Sequence, residues 1–233
     1  MPFFWFDPTM ILLIPGVILA LWAQANVSSA FNKYNSVRSR SGMTGAEVAE
    51  KVLRDNGVYG VKVERVHGNL TDHYDPRSNV IRLSDSTYAS CSIAAAGVAA
   101  HEAGHAVQYA QNYSPIKLRN AIIPMCNIGT PLALVFLLIG FAVPTNYEIF
   151  IYIAVGLYSL ATLFQLITLP VEFDASKRAM ASLERSGIYN SEELSGASKV
   201  LRAAALTYVA ALVSSLLSLF RFMIIAGSRG RRK

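Results

Sequence analysis

The chain has 233 residues, of which 53% are hydrophobic and only 15% are charged, against about 25% charged in typical soluble domains. The apolar residues collect in blocks that are too long and too free of charge for the core of a small soluble domain. A net charge of +6 would suit nucleic acid, but the basic residues lie beside apolar blocks and no aromatic-basic recognition motif accompanies them. We therefore expect a protein of the lipid bilayer that binds no nucleic acid.

The first apolar block covers about residues 8–25, and residues 1–25 are predicted to form an N-terminal transmembrane anchor. No Lys or Arg precedes Lys33, and no small-x-small cleavage site follows the block. A removed signal peptide is therefore the weaker interpretation. Trp5 precedes the block and Trp22 lies near its end, both at depths typical of membrane interfaces.

A polar stretch, residues 26–120, is predicted to form a small α+β unit. Thr44 and Glu47 form a capping-box pattern that starts a helix, which ends at Asn56-Gly57. Alternating apolar residues and turn chemistry predict strands and a hairpin, and an alanine-rich run before Pro115 predicts a long helix. The later elements are a strand over 61–66, a hairpin of 70–74 and 80–83, and a helix over 87–112. The two cysteines, Cys91 and Cys126, form no CxxC pair, so no disulfide framework is expected.

Three further segments complete the chain. Residues 121–170 are predicted to form a transmembrane hairpin that turns at Pro144-Thr145-Asn146. Residues 171–202 are predicted to be helical with a break at Ser186-Gly187. Residues 203–233 are predicted to form a fourth membrane helix and a basic tail.

The basic residues predict the topology. Residues 26–120 and 171–202 contain 16 of the 21 Lys and Arg, and the connection near Pro144 contains none. The positive-inside rule therefore places both polar segments on the cytoplasmic face of the cell membrane. The basic tail contradicts this topology if the last apolar block also spans the bilayer, because the tail would then lie on the outer face. Arg221 within that block makes a re-entrant or interfacial helix an open alternative.

The run 98–107 contains the motif His101-Glu102-Ala103-Gly104-His105. Residues four apart share a helix face, so both imidazoles can reach one metal ion. Zinc suits two neutral histidines plus a carboxylate, with a fourth position left for water. Glu102 is then placed to take the proton of that water as it attacks a peptide carbonyl. The alternative, a chance motif on a buried helix, would leave a His-Glu-His cluster buried without a metal, which is costly.

A third zinc ligand must come from elsewhere in the chain, and the candidates on the same side are His67, His73, Glu172 and Asp174. Glu172 follows Pro170 where the third apolar block ends, which predicts that it opens a helix at the membrane surface near the motif helix. We favour Glu172 as the ligand. The alternative is that it only stabilises a helix N-terminus.

The motif, the hairpin and the run Glu172 to Ser176 together resemble the gluzincin membrane peptidases of the heat-shock and CAAX prenyl-protease types. Those relatives carry an Asp where this chain has Ser176, and Asp174 is the candidate to replace it. A closer resemblance, over nearly the whole chain, is to the YugP-like neutral zinc metallopeptidases. It is carried by the runs 72–77 and 80–84, the motif and Glu172 to Ala175.

The resemblance implies a zinc-dependent membrane peptidase in which substrate adds to an edge strand. The candidate strand, which an ordinary structural role would fit nearly as well, consists of Val80, Ile81, Arg82 and Leu83. His73 is a candidate to stabilise the oxyanion or to orient Glu172, or else caps a turn. Arg178 is a candidate partner for a carboxylate near the zinc, or else a solvated surface residue.

We therefore expect a mostly α, multi-pass membrane protein bearing a small α+β zincin-like unit. Its expected activity is zinc-dependent hydrolysis of peptide bonds in membrane-associated or unfolded proteins. One rival is an intramembrane protease of the site-2 type, although no Asp-Gly motif follows in a later apolar block. A second is a zinc-binding scaffold without turnover, which would need four protein ligands. A transporter would need more polar groups at mid-bilayer than Arg221. The oligomeric state is left open.

Overall fold

The computed structural model describes residues 8–143 and 147–230. Helices account for 74% of the residues and a three-stranded sheet is present, which confirms the mostly α fold with a small α+β unit. The predicted turn at Pro144-Thr145-Asn146, Trp5 and the last three tail residues lie outside the described residues. The elements in chain order are a 3-10 helix (Pro8–Leu13), α1 (Ile14–Asn35), α2 (Gly45–Asp55), β1 (Lys62–Val66), β2 (His73–Asp75), β3 (Val80–Ser84), α3 (Ile93–Ala110), α4 (Ser114–Ala142), α5 (Tyr147–Arg185) and α6 (Ser191–Gly230).

The chain divides into two compact units. One, here the apolar unit, comprises Met1–Trp22, Leu118–Leu169 and Tyr208–Lys233. The other, here the sheet unit, comprises Ala23–Lys117 and Pro170–Thr207. The division of the sequence into five segments stays a prediction.

The capping box at the start of α2 is present as predicted. The Thr44 side chain accepts a hydrogen bond from the backbone N–H of Glu47, and the Glu47 carboxylate accepts one from the backbone N–H of Thr44. Such a cap stabilises a helix by about 1 kcal/mol. It fixes the face of α2 that packs into the core, where Val48, Ala49 and Val52 are buried.

The sheet has the order β1-β3-β2, with β1 parallel and β2 antiparallel to β3. The predicted hairpin of β2 and β3 is therefore present, and β3 is the central strand. Its residues Ile81 and Leu83 are fully buried, which for side chains of this size stabilises the fold by roughly 1.5–3 kcal/mol each.

Helix α3 forms the centre of the sheet unit. It begins after Ser92, whose hydroxyl accepts a hydrogen bond from the backbone N–H of Ala95, rather than at the predicted residue 87. Most of its residues are buried. Its many alanines let α2, α5 and α6 pack close to it, and the shared core includes Ala99, Ala103, Ala179 and Ala197.

Helices α5 and α6 are longer than the sequence pattern predicts. Helix α5 continues through Pro170, so Glu172 lies inside a helix and does not open one, which corrects the expected position of this residue. A proline inside a helix removes one backbone hydrogen bond, yet the helix continues here. The predicted break does occur after α5, where Gly187 has a φ of +67° that favours glycine.

Four helical segments are long and apolar enough to cross a bilayer: Pro8–Asn35, Ser114–Gly140, Glu148–Arg185 and Ser191–Gly227. Large apolar side chains on them remain exposed, among them Ile11, Leu21 and Ile128. A soluble protein would rarely expose so many, whereas hydrocarbon solvates them well. Within the apolar unit, the Ser214 hydroxyl donates to the carbonyl of Gly16 over 3.2 Å, and Arg221 donates to the Thr9 hydroxyl over 3.1 Å.

Candidate metal centre

Helix α3 places His101 and His105 on one face, one helical turn apart. Their ring centroids are 4.7 Å apart and the ring planes are nearly perpendicular. Their side chains are 14% and 10% exposed, so both rings are largely shielded from bulk water. The helix therefore presents two imidazole groups toward one point.

Helix α5 brings Glu172 to the same point. Its Oε2 atom lies 3.3 Å from Nε2 of His101 and 3.5 Å from Nε2 of His105. The Glu172 side chain is only 2% exposed. One ligand atom from each of the three residues lies within 4.8 Å of the others. A cation can therefore meet two nitrogens and one carboxylate oxygen at once.

The outer nitrogen of each imidazole is held by a partner on the protein. Nδ1 of His105 lies 3.0 Å from Oε1 of Gln108. The Gln108 amide nitrogen donates to the carbonyl of Val171 over 2.9 Å and to the carboxylate of Asp174 over 2.8 Å. Because both amide hydrogens are used, Oε1 must accept from Nδ1–H of His105. That tautomer leaves the lone pair on Nε2, facing Glu172.

His101 has a simpler support. The Ser176 hydroxyl lies 3.1 Å from Nδ1 of His101 and can accept its hydrogen. Ser176 is four residues after Glu172, so both side chains share the face of α5 that contacts α3. This helix face thus supplies a carboxylate and a hydroxyl to the same histidine.

These donors fit zinc. Zinc in catalytic sites takes three protein ligands, and two histidines plus a glutamate form an established set. Metal-ligating histidines usually donate their other N–H to an oxygen, as both do here. Burial disfavours the charged form of Glu172, but the neighbouring His101 and His105 outweigh this effect and hold the pKa of its carboxyl well below the usual range, so Glu172 is available as an anionic ligand. His101, His105 and Glu172 are therefore the residues that would hold the ion.

Gly104 explains how close the two helices come. A Cβ atom at this position would lie 2.8 Å from the backbone carbonyl oxygen of Ala175. Real Cβ atoms essentially never approach that closely, and a backbone atom cannot easily move away. The absent side chain lets α5 carry Glu172 within reach of both histidines.

Glu102 lies beside the ligands and is 8% exposed. Burial raises the pKa of its carboxyl to about 7, an effect that the charge of His101 opposes and that of Glu172 reinforces. Asp72 and His73 contribute weaker electrostatic effects of opposite sign on the same pKa. A carboxyl group with a pKa near neutrality can accept and release a proton under physiological conditions.

Asp174 and Arg178 lie outside the cluster of ligand atoms but close to the residues that support it. The Arg178 guanidinium pairs with the Asp174 carboxylate, also bonds to the side chain of Gln111 and lies 5.6 Å above the ring of Tyr113. Among the described residues, Asp174 accepts its hydrogen bonds from Arg178 and from the amide of Gln108 rather than from a histidine. Both residues therefore act on the candidate centre through Gln108.

His73 and His67 lie apart from the three ligand atoms. Nδ1 of His73 lies 2.8 Å from the carbonyl oxygen of Thr71, and the side chain is exposed in β2. His67 is 99% exposed and its Nδ1 lies 3.4 Å from the Asp85 carboxylate. Neither residue belongs to the cluster with the ligand geometry.

The expected edge strand at Val80, Ile81, Arg82 and Leu83 is a wrong prediction. These residues form β3, whose two sides are paired with β1 and β2. Strand β1 pairs along Val80–Ser84 and β2 along Val80–Arg82, so neither backbone edge of β3 is free over residues 80–82 to accept a substrate strand. The pattern of alternating residues predicts a strand but does not say which strands will flank it.

The sequence analysis does not include Gln108, and it names Ser176 only as the residue that replaces the relatives' Asp, with Asp174 as the candidate for that role. Gln108 lies three residues after His105, and Ser176 lies four residues after Glu172. Such spacing places each beside a proposed ligand on its own helix. The helical period was thus a usable signal, but it could not show which histidine each side chain would contact.

The site and the apolar helices define a class, a membrane protein with a metallopeptidase-type cluster. The model of a family described as "Putative neutral zinc metallopeptidase" matches residues 9–227. The curated protein "Putative membrane protease YugP" of Bacillus subtilis (strain 168) is 46% identical over 214 residues, covering 92% of this chain and 94% of that protein. No solved structure matches significantly. The chain therefore belongs to the neutral zinc metallopeptidase family, and is a membrane protein.

Proposed function

We propose that this protein is a zinc-dependent endopeptidase that hydrolyses peptide bonds of membrane-associated or unfolded proteins. The observation that carries the proposal is the convergence of His101, His105 and Glu172 beside the buried carboxyl group of Glu102. Family membership supports a peptidase, and the geometry supports this particular set of residues.

Zinc, when bound, supplies a Lewis acid that polarises the scissile carbonyl and lowers the pKa of water. The chain supplies the proton transfer. Glu102 takes a proton from the attacking water and passes it to the leaving amide nitrogen. Burial, which raises the pKa of Glu102 to about 7, matches this carboxyl group to both transfers at neutral pH.

Strand β2 is the better candidate to bind the substrate backbone. It pairs only with β3 among the described residues, so its other edge is unpaired. The rings of Tyr74 in β2 and Tyr109 in α3 meet edge to face, with centroids 5.6 Å apart, which places the strand beside the motif helix. An extended peptide added to β2 would gain main-chain hydrogen bonds without opening the sheet.

His73 occupies this same edge strand and is our candidate to stabilise the oxyanion. Its Nδ1–H donates to a carbonyl oxygen, because that oxygen can only accept. Nε2 therefore offers a proton to an oxyanion only when the ring is doubly protonated. A role for His73 thus requires the imidazolium form.

We further propose a multi-pass topology with the sheet unit on the cytoplasmic face. The four apolar helices and the concentration of Lys and Arg in residues 26–120 and 171–202 support it. Helix α3 is not among the candidate spans of the described residues, and its burial by neighbouring helices favours this arrangement over a site-2-type intramembrane protease. Three ligand donors within the described residues, rather than four, favour catalysis over a zinc scaffold.

The test is zinc content and cleavage of unfolded casein by the purified full chain. Wild type should hold one zinc per chain and cleave. Glu102→Gln should keep the zinc and lose activity by about 100-fold or more, the usual contribution of a general base. Glu50→Gln, on an exposed position of α2, is the control and should keep both. A Glu102→Gln protein with zinc and undiminished activity would rule out this mechanism.

A further inference from the structure

The sheet unit contains a cavity, open to solvent, with a volume of about 500 Å³. It is lined by the segment that follows α1, by the start of α3 and by the first turns of α6. None of the three candidate zinc ligands lines it. Its volume lies within the range of small-molecule binding sites.

Positive side chains dominate the chemistry of this cavity. Arg38, Arg40 and Lys199 all line it and are exposed. Over the described part of the chain, none of the three has a carboxylate oxygen within the 4.0 Å of an ion pair. Arg65, Arg82 and Arg178, by contrast, each have such a partner.

The acidic residues in the lining do not neutralise these cations. The Glu193 carboxylate is buried and already accepts hydrogen bonds from the Ser39 hydroxyl, the backbone N–H of Arg40 and the backbone N–H of Asn190, at 3.1, 2.7 and 2.8 Å. Glu192 is exposed and carries the other negative charge. The lining therefore holds three cations and two carboxylates, and one of these carboxylates already accepts hydrogen bonds from the protein.

The cavity also has an apolar wall and lies close, along α6, to the start of the last apolar block of the sequence. Tyr34, Val37 and Ile93 line it, and Val37 is 41% exposed. Lys199 precedes Ala203, the first residue of the last apolar block, by four residues of α6, which is about 6 Å along the helix. A headgroup layer is about 5–8 Å thick, so a bilayer that covers the last apolar block would place lipid phosphates within reach of Lys199.

We propose that this cavity binds the phosphate of an anionic phospholipid, with Arg38, Arg40 and Lys199 as its charged contacts. The apolar side chains would contact the glycerol and the first acyl carbons. A basic cluster beside a membrane helix attracts anionic lipid strongly. The free phosphate ion shares the same chemistry, so the experiment must separate the two.

Native mass spectrometry of the full chain in detergent tests the proposal, with phosphatidylglycerol, phosphatidylcholine and inorganic phosphate as probes. The site variant combines Arg38→Gln, Arg40→Gln and Lys199→Gln. The control removes equal charge at exposed positions outside the cavity, with Arg54→Gln, Lys62→Gln and Arg77→Gln. Phosphatidylglycerol should bind wild type and control alike and should bind the site variant more weakly by on the order of 100-fold.

Three results would overturn the proposal. Equal loss in the control would show a general effect of net charge. Equal binding of phosphatidylcholine and phosphatidylglycerol would show no preference for an anionic headgroup. Inorganic phosphate that binds as tightly as phosphatidylglycerol would assign the cavity to a soluble anion. The melting temperature of each variant is measured beside wild type, since these exposed side chains should leave the fold unchanged.

Discussion

The two histidines of the candidate metal centre are supported very differently. His105 is held by Gln108, which is held in turn by Asp174 and by a backbone carbonyl, and Arg178 pairs with Asp174. His101 is held by the single hydroxyl of Ser176. The His101 side chain is also slightly more exposed, at 14% against 10%.

We infer from this difference that the two histidines have different roles within one site. The His105 side is a buried network that fixes one tautomer and ties α3 to α5. The His101 side, next to Glu102 in the sequence, has the lighter support and the greater exposure. We therefore expect metal retention to depend most on the His105 side, and the entry of water and substrate to occur on the His101 side.

The largest effect should follow removal of the residue that joins the two sides. Glu172→Ala should lower zinc affinity by more than about 100-fold, which exceeds the usual cost of losing a supporting residue. Glu184→Ala, exposed on the same helix, is the matched control and should keep full zinc. Zinc content after dialysis against a chelator is the measurement. If Glu172→Ala kept full zinc, His73 would become the leading candidate ligand.

The next effect concerns the helix contact on which both sides depend. Gly104→Ala should force α5 away from α3, since its Cβ would meet the Ala175 carbonyl. We expect a stability loss of about 1–3 kcal/mol, typical of overpacking, together with weaker zinc binding. Gly97→Ala on the same helix meets its nearest atom at 3.5 Å and should be neutral or stabilising. Thermal unfolding and zinc titration of both variants decide whether they differ.

One substitution beside each histidine tests the difference between their supports most closely. Gln108→Met should weaken zinc binding by about 10- to 100-fold, because His105 loses the acceptor that fixes its tautomer. Ser176→Ala should cost less than about tenfold, since His101 loses one hydroxyl and is partly exposed to water. Zinc affinities come from competition with a chromogenic chelator. Equal losses, or the reverse order, would contradict the difference in roles described above.

The smallest effect is a pH dependence of the metal-free protein. Burial raises the pKa of Glu102 to about 7, above its ordinary value of 4.5. The stability contributed by this carboxyl group is therefore full below pH 4.5 and is lost as the pH rises through 7. Glu102→Gln lacks this loss, so its advantage in melting temperature over wild type should grow between pH 5 and pH 8. A constant difference across this range would show that Glu102 does not titrate there.

Local signals in the sequence predicted much of the fold. The capping box at Thr44, the hairpin of β2 and β3 and the break at Gly187 each depend on residues close together in the chain. The parallel pairing of β1 with β3 depends on tertiary contacts, and it made Val80–Ser84 a central strand. Periodicity alone cannot rank strands within a sheet.

In the candidate site, too, the features that depend on tertiary contacts could not be predicted from local sequence patterns. The four-residue spacing of His101 and His105 predicts two imidazole groups on one helix face, and the structure has them there. Glu172 was proposed from its place near the end of an apolar block, but it lies inside α5. The tautomer-fixing role of Gln108 depends on contacts from α5 that no local pattern contains.

The most direct test of the central claim is X-ray absorption spectroscopy of the zinc-loaded protein. An open centre held by His101, His105 and Glu172 predicts two imidazole nitrogens and additional oxygen ligands at about 2.0–2.2 Å. The Glu172→Ala variant, loaded at high zinc, should lose an oxygen contribution and keep both imidazoles. A spectrum with a third imidazole in place of the carboxylate, or with a sulfur ligand at about 2.3 Å, would show a different set of ligands. That result would contradict the account.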